Sequence, residues 1–168
     1  DELMQLASKK PIRVIARLGS ARLWREAEPV VAQLGGSSFY AGERIESGNV
    51  LEACFPGSFF MTAQNSFIES MRLARKSGIE TDIIARSVVP SLKLLRAGLD
   101  DLIAKVDKHD DATLEATMDV YLHAAKSYQQ TVRDTGMSAP LLNLLVEQFQ
   151  DAVNQGQGHL GPSVMLRR

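Results

Sequence analysis

The sequence predicts a mainly α-helical chain that begins with a short strand-helix-strand unit. From about residue 49 to the carboxy end, apolar residues recur at helical spacing with hardly any strand signal. Before residue 42, two short runs rich in β-branched and aromatic residues flank a helical stretch. These observations predict two domains, a strand-helix-strand unit at 1–42 and an all-α domain at 43–168.

Composition excludes several classes of partner. The chain has 168 residues, 45% of them hydrophobic, which is enough for one packed core. Nineteen basic and twenty acidic residues give a net charge of -1, so no global field favours nucleic acid or anionic lipid. The single Cys54 cannot form an internal disulfide, and no apolar run or basic leader predicts a membrane span or export signal. We expect a cytoplasmic protein with no nucleic acid partner and no membrane partner.

The first domain has two predicted strands, at 11–16 and 37–41. Between them, Ser20 is the predicted cap of a helix that runs toward residue 34, and Pro29 is predicted either to bend this helix or to break it into two turns. Two strands are too few for a stable sheet. The missing part of the sheet must therefore come from elsewhere.

The second domain begins with two predicted helices. The first covers residues 55–76, and Pro56 marks either its start or a kink, if the helix begins earlier. Thr81 is the predicted cap of the second, which bends at Pro90 and ends at Gly98.

Three more helices complete the prediction of five. A short third helix opens at Asp100, where acidic residues favour a helix start. A fourth runs from Thr113 to Gly136, and a fifth has Pro140 in its first turn and ends at Gly156.

The motifs of common enzyme classes are missing from the sequence. It has no Gly-x-Gly-x-x-Gly after a strand, no Walker loop, no His-Glu-x-x-His and no nucleophile elbow. His109, His123 and His159 are too far apart for a sequence-local metal site and are more typical of surface or packing residues. The residues alone therefore predict a helical domain with an αβ appendage and no cofactor or metal site of its own.

Four phrases carry a resemblance to a known family. Residues 27–42 are similar to the last helix and strand of the cofactor domain in imine reductases and their β-hydroxyacid dehydrogenase relatives. Residues 76–79 resemble the end of the long interdomain helix that follows in that family, and 111–114 resemble the entry to a later helix. Residues 154–161 resemble its glycine-rich turn before a final short helix. In order and spacing, the whole chain resembles the carboxy-terminal part of such an enzyme.

The resemblance implies a helical dimerisation domain of the 6-phosphogluconate dehydrogenase-like type, preceded by a remnant of a Rossmann domain. Most of the Rossmann domain is missing, so NADPH is expected only through a partner chain and not on this chain alone. The implied partner is a second polypeptide with a Rossmann-like sheet, in a heterodimer or a homodimer. The implied substrate is a small amine or imine.

The resemblance also implies a degenerate active site. Imine reductases often place an Asp or Tyr in the phrase that opens the long helix, and alignment on residues 78–79 puts that position at Ala53, which cannot donate a proton. A later aromatic position falls on Met61. Glu52 could replace the acid if residues 54–57 distort the helix. The alternative is that Glu52 is a solvated residue of the first helical turn.

Other pocket residues are predicted on two helices. Gln64 and Asn65 could bind a substrate by hydrogen bonds or could belong to an interface. On the fourth predicted helix, the positions where the family lines its pocket from the partner subunit are Tyr121, His123, Ser127 and Tyr128. The two tyrosines could equally pack in a core.

Three functions remain open from the sequence. The chain is predicted to be the helical subunit of a heteromeric imine-reductase-like enzyme of natural-product biosynthesis. Its chemistry could be non-redox, such as elimination or ring closure around an amine. The alternatives are the carboxy-terminal fragment of an NADPH-dependent imine reductase and a non-catalytic dimerisation module.

Overall fold

A computed structural model describes residues 14–17, 19–33, 37–44, 46–108, 110–113 and 115–167. The chain divides into two compact units, Asp1–Gln64 and Asn65–Arg168. The predicted domain boundary after residue 42 stays a prediction.

The first unit contains a parallel pair of strands, β1 (Val14–Arg17) and β2 (Ser37–Tyr40), joined by helix α1 (Ala21–Ala32). Two parallel strands need a crossover connection of this kind. The Tyr40 hydroxyl donates a hydrogen bond to the Gly19 carbonyl over 2.8 Å, and the Gly19 N–H donates to the Gly42 carbonyl over 3.0 Å. These bonds fix the turn after β1 to the end of β2.

Both predicted strands are present, although residues 11–13 of the first lie outside the described residues. Two details of the predicted helix are wrong. Ser20 precedes α1 with an extended backbone, but its side chain makes no capping hydrogen bond. Helix α1 also continues through Pro29 instead of breaking there, and it ends at Ala32.

The long helix begins earlier than the predicted residue 55. Helix α2 (Ser47–Glu52) runs into a π-helical segment (Ala53–Phe59), which continues as α3 (Phe60–Lys76). Pro56 explains the wider turn, because its ring has no N–H and collides with the carbonyl of Glu52 four residues earlier in a regular helix. At Gly57, an added Cβ would lie 3.2 Å from that carbonyl oxygen. Pro56 therefore marks a distortion within the helix and not its start.

The second unit continues with α4 (Thr81–Lys105), α5 (Met118–Asp134) and α6 (Pro140–Ala152). A π-helical segment (Val153–Gln157) and a 3₁₀ helix (Pro162–Arg167) follow. In the described part of the chain, no helix is both long enough and apolar enough to cross a membrane.

The predicted division of residues 81–105 into two helices is wrong. Helix α4 continues through Gly98 without a break, so four α-helices of more than ten residues follow residue 49 in the described part of the chain, where five main helices were predicted. Ion pairs at i, i+4 spacing connect Arg96 to Asp100 and Lys105 to Asp101. Their attraction favours a continuous helix across the position where the sequence suggested an end.

Two helix starts differ from the prediction by a few residues. Thr81 is the first residue of α4, and Glu80 is its cap. Helix α5 begins at Met118, not at Thr113, and the Thr117 hydroxyl accepts a hydrogen bond from the Val120 N–H. The Thr113 hydroxyl accepts one from the Glu115 N–H, which closes a local turn instead of opening the helix.

The core lies between α5 and α6. The amino-terminal half of α5 places Met118, Leu122 and Ala125 in it, at the spacing that the amphipathic pattern predicts. Phe149 and Val153 pack against both clusters of buried side chains. By contrast, α3 and α4 contain no fully buried residue. The buried apolar side chains of α5, α6 and the 3₁₀ helix are Met118, Leu122, Ala125, Val132, Val146, Ala152 and Val164.

The glycine-rich turn at 154–161 caps the start of α5. The N–H groups of Met118 and Asp119 donate to the carbonyls of Leu160 and Gly158, over 2.8 and 2.9 Å. Because the first turn of a helix has no internal acceptors for its N–H groups, this turn supplies them. It therefore connects the two ends of the α5–α6 hairpin.

Two glycines are expected to respond to alanine in opposite directions. A Cβ at buried Gly161 would lie 3.0 Å from the Thr113 Cβ and 3.3 Å from the Asp111 carbonyl oxygen. We expect Gly161→Ala to lower the free energy of unfolding by about 1–3 kcal/mol, since the backbone must shift. Gly98, in the interior of α4, has nothing within 4 Å of its added Cβ. We expect Gly98→Ala to raise that energy by about 0.5–1 kcal/mol. Urea unfolding measures the free energy of unfolding of both variants. Equal changes in the two variants would contradict the space that the structure shows around each glycine.

Candidate functional site

Three of the predicted pocket residues share one side of α3. Met61, Gln64 and Asn65 lie within an arc of about 100° at the helical rotation per residue. All three are exposed. Ile68 and Arg72 continue the same side toward the carboxy end of α3. This helix therefore presents a strip with an amide pair at its centre and apolar side chains on either side.

Glu52 is the last residue of α2 and is exposed. The π-helical segment begins at the next residue, Ala53. The distortion that the acid role of Glu52 requires is therefore present. A π-helical segment changes the direction of the side chains on either side of it relative to a regular helix, and such segments are frequent at functional sites.

The predicted residues on α5 divide into two pairs. Tyr121 and Tyr128 are seven residues apart and share one side of the helix, while His123 and Ser127 are four apart and share another. All four side chains are exposed. The two pairs point more than a quarter turn apart, so one small molecule contacts one pair more readily than both.

Tyr121 has a structural role that Tyr128 lacks. Its ring meets Phe149 of α6 edge-on, with centroids 5.8 Å apart and planes at 67°. Tyr128 is 62% exposed. The alternative that the tyrosines pack in the core therefore applies in part to Tyr121. The ring of Tyr128 is the more exposed of the two and can contact another molecule.

Polar bonds between α5 and α6 were not predicted from the sequence. Lys126 Nζ donates to Gln150 Oε1 over 2.6 Å, and Gln129 Nε2 donates to Asn143 Oδ1 over 2.8 Å. They fix the register of the two helices beside the exposed face of α5. The partners are 24 and 14 residues apart in sequence, and no local motif connects them.

A carboxylate on α3 was also missed. Glu69 accepts hydrogen bonds from the N–H groups of Leu141 and Leu142, over 3.2 and 3.3 Å. It is half-buried, unlike Asn65 one turn earlier. This contact connects the helix that carries the amide pair to the start of α6.

The shifted pKa values lie on α4 and not among the predicted site residues. A hydrogen bond from Lys105 to Asp101 raises the pKa of Lys105, and one from Arg96 to Asp100 raises the pKa of Arg96. Among the described residues, no group of three or more metal-ligating side chains comes together. Within the second unit, the predicted residues offer hydrogen-bonding groups and aromatic surface, and within the first unit Glu52 offers an exposed carboxyl.

Several comparisons with known proteins bear on this arrangement. The family model of the NADPH-dependent reductive aminase-like, C-terminal domain matches residues 58–167. A reductive aminase from Aspergillus terreus in complex with NADPH and ethyl levulinate is 22% identical, with a TM-score of 0.79. That match covers 92% of this chain and 53% of the aminase.

Two imine reductases show the same fold. The V8 variant from Myxococcus stipitatus, in complex with NAD+, is 16% identical with a TM-score of 0.79, over 93% of this chain and 55% of that one. The enzyme from Bacillus cereus is 15% identical with a TM-score of 0.78, over 92% and 53%. No curated protein sequence matches significantly.

The chain spans about half the length of these solved structures. The resemblance to the carboxy-terminal part of an imine reductase is thereby confirmed, together with the mainly helical fold. The family model covers most of the chain, from the last two residues of the π-helical segment to the 3₁₀ helix. This chain belongs to the family of NADPH-dependent reductive aminase-like C-terminal domains.

Proposed function

We propose that this chain is the helical half of an imine-reductase-like enzyme that acts on a small amine or imine. It lines the substrate pocket together with a second polypeptide, which supplies the rest of a Rossmann-like sheet and the NADPH site. The observation that carries the proposal is a family-typical helical domain that leaves much apolar surface uncovered beside a sheet of only two described strands.

The apolar surface lies on α3 and α4. On α3, Phe60 and Phe67 are seven residues apart on one side and are 57% and 45% exposed. On α4, Leu92, Leu95 and Ile103 fall on one side and are also exposed. Surfaces of this kind mark interfaces in stable proteins. A partner that covers both helices supports their stability.

The two-stranded sheet points to the same partner. Parallel sheets are stable when several strands pair and both faces are covered. Strands β1 and β2 pair only with each other among the described residues. Further strands from a partner would complete the sheet, in a heterodimer or a homodimer.

The residues of this chain do not fit a dinucleotide by themselves. The turn from β1 to α1, residues 17–22, contains Gly19 as its single glycine, and the fingerprint that cradles a pyrophosphate needs three. NADPH would therefore be held by the partner.

The proposed chemistry of this chain is proton transfer and orientation. Glu52 would donate a proton to the substrate nitrogen, because Ala53 has no acidic group. Gln64 and Asn65 would orient the nitrogen and its neighbours by hydrogen bonds. On α5, either the pair Tyr121 and Tyr128 or the pair His123 and Ser127 would line the pocket, and Met61 is the proposed lining residue of α3. This chemistry suits natural-product biosynthesis in a reducing cytoplasm, and it also permits elimination or ring closure without a redox step.

A second candidate function follows from the share of the solved relatives' length that this chain matches. The solved relatives are about twice as long as the matched region. These residues would then be the carboxy-terminal part of an NADPH-dependent imine reductase whose Rossmann domain precedes them. A non-catalytic dimerisation module is the third candidate, and turnover that depends on Glu52 distinguishes it from the other two.

We expect the isolated chain to assemble into dimers or larger species. Phe60→Glu with Phe67→Glu is expected to weaken this assembly, because two charges would enter an apolar interface. The matched control is Val120→Glu, which places a charge at an exposed apolar position of α5. This variant should leave the assembly unchanged. Light scattering measures the mass. A wild-type chain that is a monomer at micromolar concentration and unfolds cooperatively would contradict the proposal.

We expect no NADPH binding by the isolated chain, because it has no pyrophosphate-binding turn. The complex obtained by copurification with the product of a neighbouring gene should bind the cofactor. Isothermal titration calorimetry compares the two samples. Micromolar binding to the chain alone would overturn this part of the proposal.

We expect Glu52→Gln to lower turnover of a small cyclic imine by the complex by about 10²-fold, since general acid catalysis contributes that much. Glu46→Gln, which removes an exposed carboxyl just before α2, is the control and should retain turnover. Steady-state rates measured against pH test the role. Unchanged activity in Glu52→Gln would show that Glu52 is a solvated surface residue.

A further inference from the structure

Helix α6 begins without a capping side chain of its own. Its cap residue is Ala139, which has no acceptor, and Pro140 at the first position has no N–H. The next two N–H groups, of Leu141 and Leu142, still require acceptors. Local sequence therefore leaves two donors at this helix start for another part of the chain to satisfy.

Glu69 supplies both acceptors from 72 residues earlier in the sequence. Its Oε2 accepts from the Leu141 N–H and its Oε1 from the Leu142 N–H. A carboxylate is favoured there by the positive end of the helix dipole as well as by the two bonds. Both contacts are partly buried, so competition from water is limited.

The first turn of α6 is consequently bonded to two other helices. The residue after Leu142 is Asn143, whose side chain accepts from Gln129 of α5. Three successive residues of α6 thus bind α3 through Glu69 and α5 through Gln129. Gln129 directly follows the exposed Tyr128, and Asn65 lies one turn before Glu69.

We propose that Glu69 is a positioning residue that holds the Asn65 side of α3 at a fixed place relative to Tyr128 on α5. The proposal rests on the proposed function, because the two side chains belong to the pocket suggested there. Without the carboxylate, α6 loses its cap and α3 loses its polar connection to the hairpin at the same point.

Hydrogen exchange of the full chain, in the assembly in which it purifies, tests the proposal. In Glu69→Ala, exchange is expected to rise about five- to tenfold at Leu141 and Leu142, the usual effect of losing a cap. It should also rise at Asn143 and along residues 66–74 of α3. Glu69→Gln keeps one acceptor oxygen and should show a smaller rise at the same positions. It also serves as the test if Glu69→Ala does not fold.

Thr117→Ala is the matched control, because it removes the cap of α5 without touching α3. In this control, the rise in hydrogen exchange should be confined to the start of α5 near Val120. If the two Glu69 variants change exchange only at Leu141 and Leu142, Glu69 is a simple cap and the positioning role is wrong.

A kinetic comparison separates the positioning role of Glu69 from the loss of stability that removal of any helix cap causes. In the assembled enzyme with a small cyclic imine, Glu69→Ala is expected to lower kcat/KM about tenfold, and Thr117→Ala should leave it unchanged. An equal loss in both variants would overturn the proposal. Hydrogen exchange needs no substrate and therefore tests the positioning role independently of activity. If exchange rises as expected but no variant turns over the imine, the proposed enzyme function is wrong and the contact role of Glu69 is not.

Discussion

The arrangement of the second unit depends on how the free N–H groups at the start of α6 are satisfied. A local cap would leave α3 without the directional bond that Glu69 makes to the hairpin. Glu69 is used instead, so a directional bond joins a helix with no fully buried residue to the hairpin that contains the core. On α3, Phe60 and Phe67 lie on the side opposite Glu69, at the helical rotation per residue. The side of α3 that carries the exposed Phe60 and Phe67 is therefore the side that faces away from this bond.

Pro56 imposes a second constraint, at the other end of α3. A proline inside a helix normally costs a hydrogen bond and a steric clash, about 3 kcal/mol. The π-helical turn accommodates it without ending the helix, and Gly57 leaves room beside the Glu52 carbonyl. Because the distortion begins at Ala53, the direction of Glu52 relative to Gln64 differs from that in a regular helix.

Structural features that depend on neighbouring residues in the sequence could be predicted. Strands β1 and β2, Pro140 in the first turn of α6 and the glycine at position 78 all follow from local chemistry. The division of α4 at Gly98 was wrong, because a glycine inside a helix costs only about 1 kcal/mol relative to alanine and does not by itself end the helix. Glu69 and Gln129 could not be found, since their partners are distant in sequence and any exposed glutamate or glutamine on a helix has the same local pattern.

The distribution of buried side chains differs between the α5–α6 hairpin and α4. The α5–α6 hairpin has its own core, closed by the glycine-rich turn and the 3₁₀ helix. Helix α4 has 25 residues and no fully buried side chain, and its Ile103 is 70% exposed. A helix of that length is not stabilised by propensity alone and needs an apolar face packed against something. The i, i+4 ion pairs add only a few tenths of a kcal/mol each on an exposed surface. Under the proposed function, the second polypeptide would cover this apolar surface and so stabilise α4.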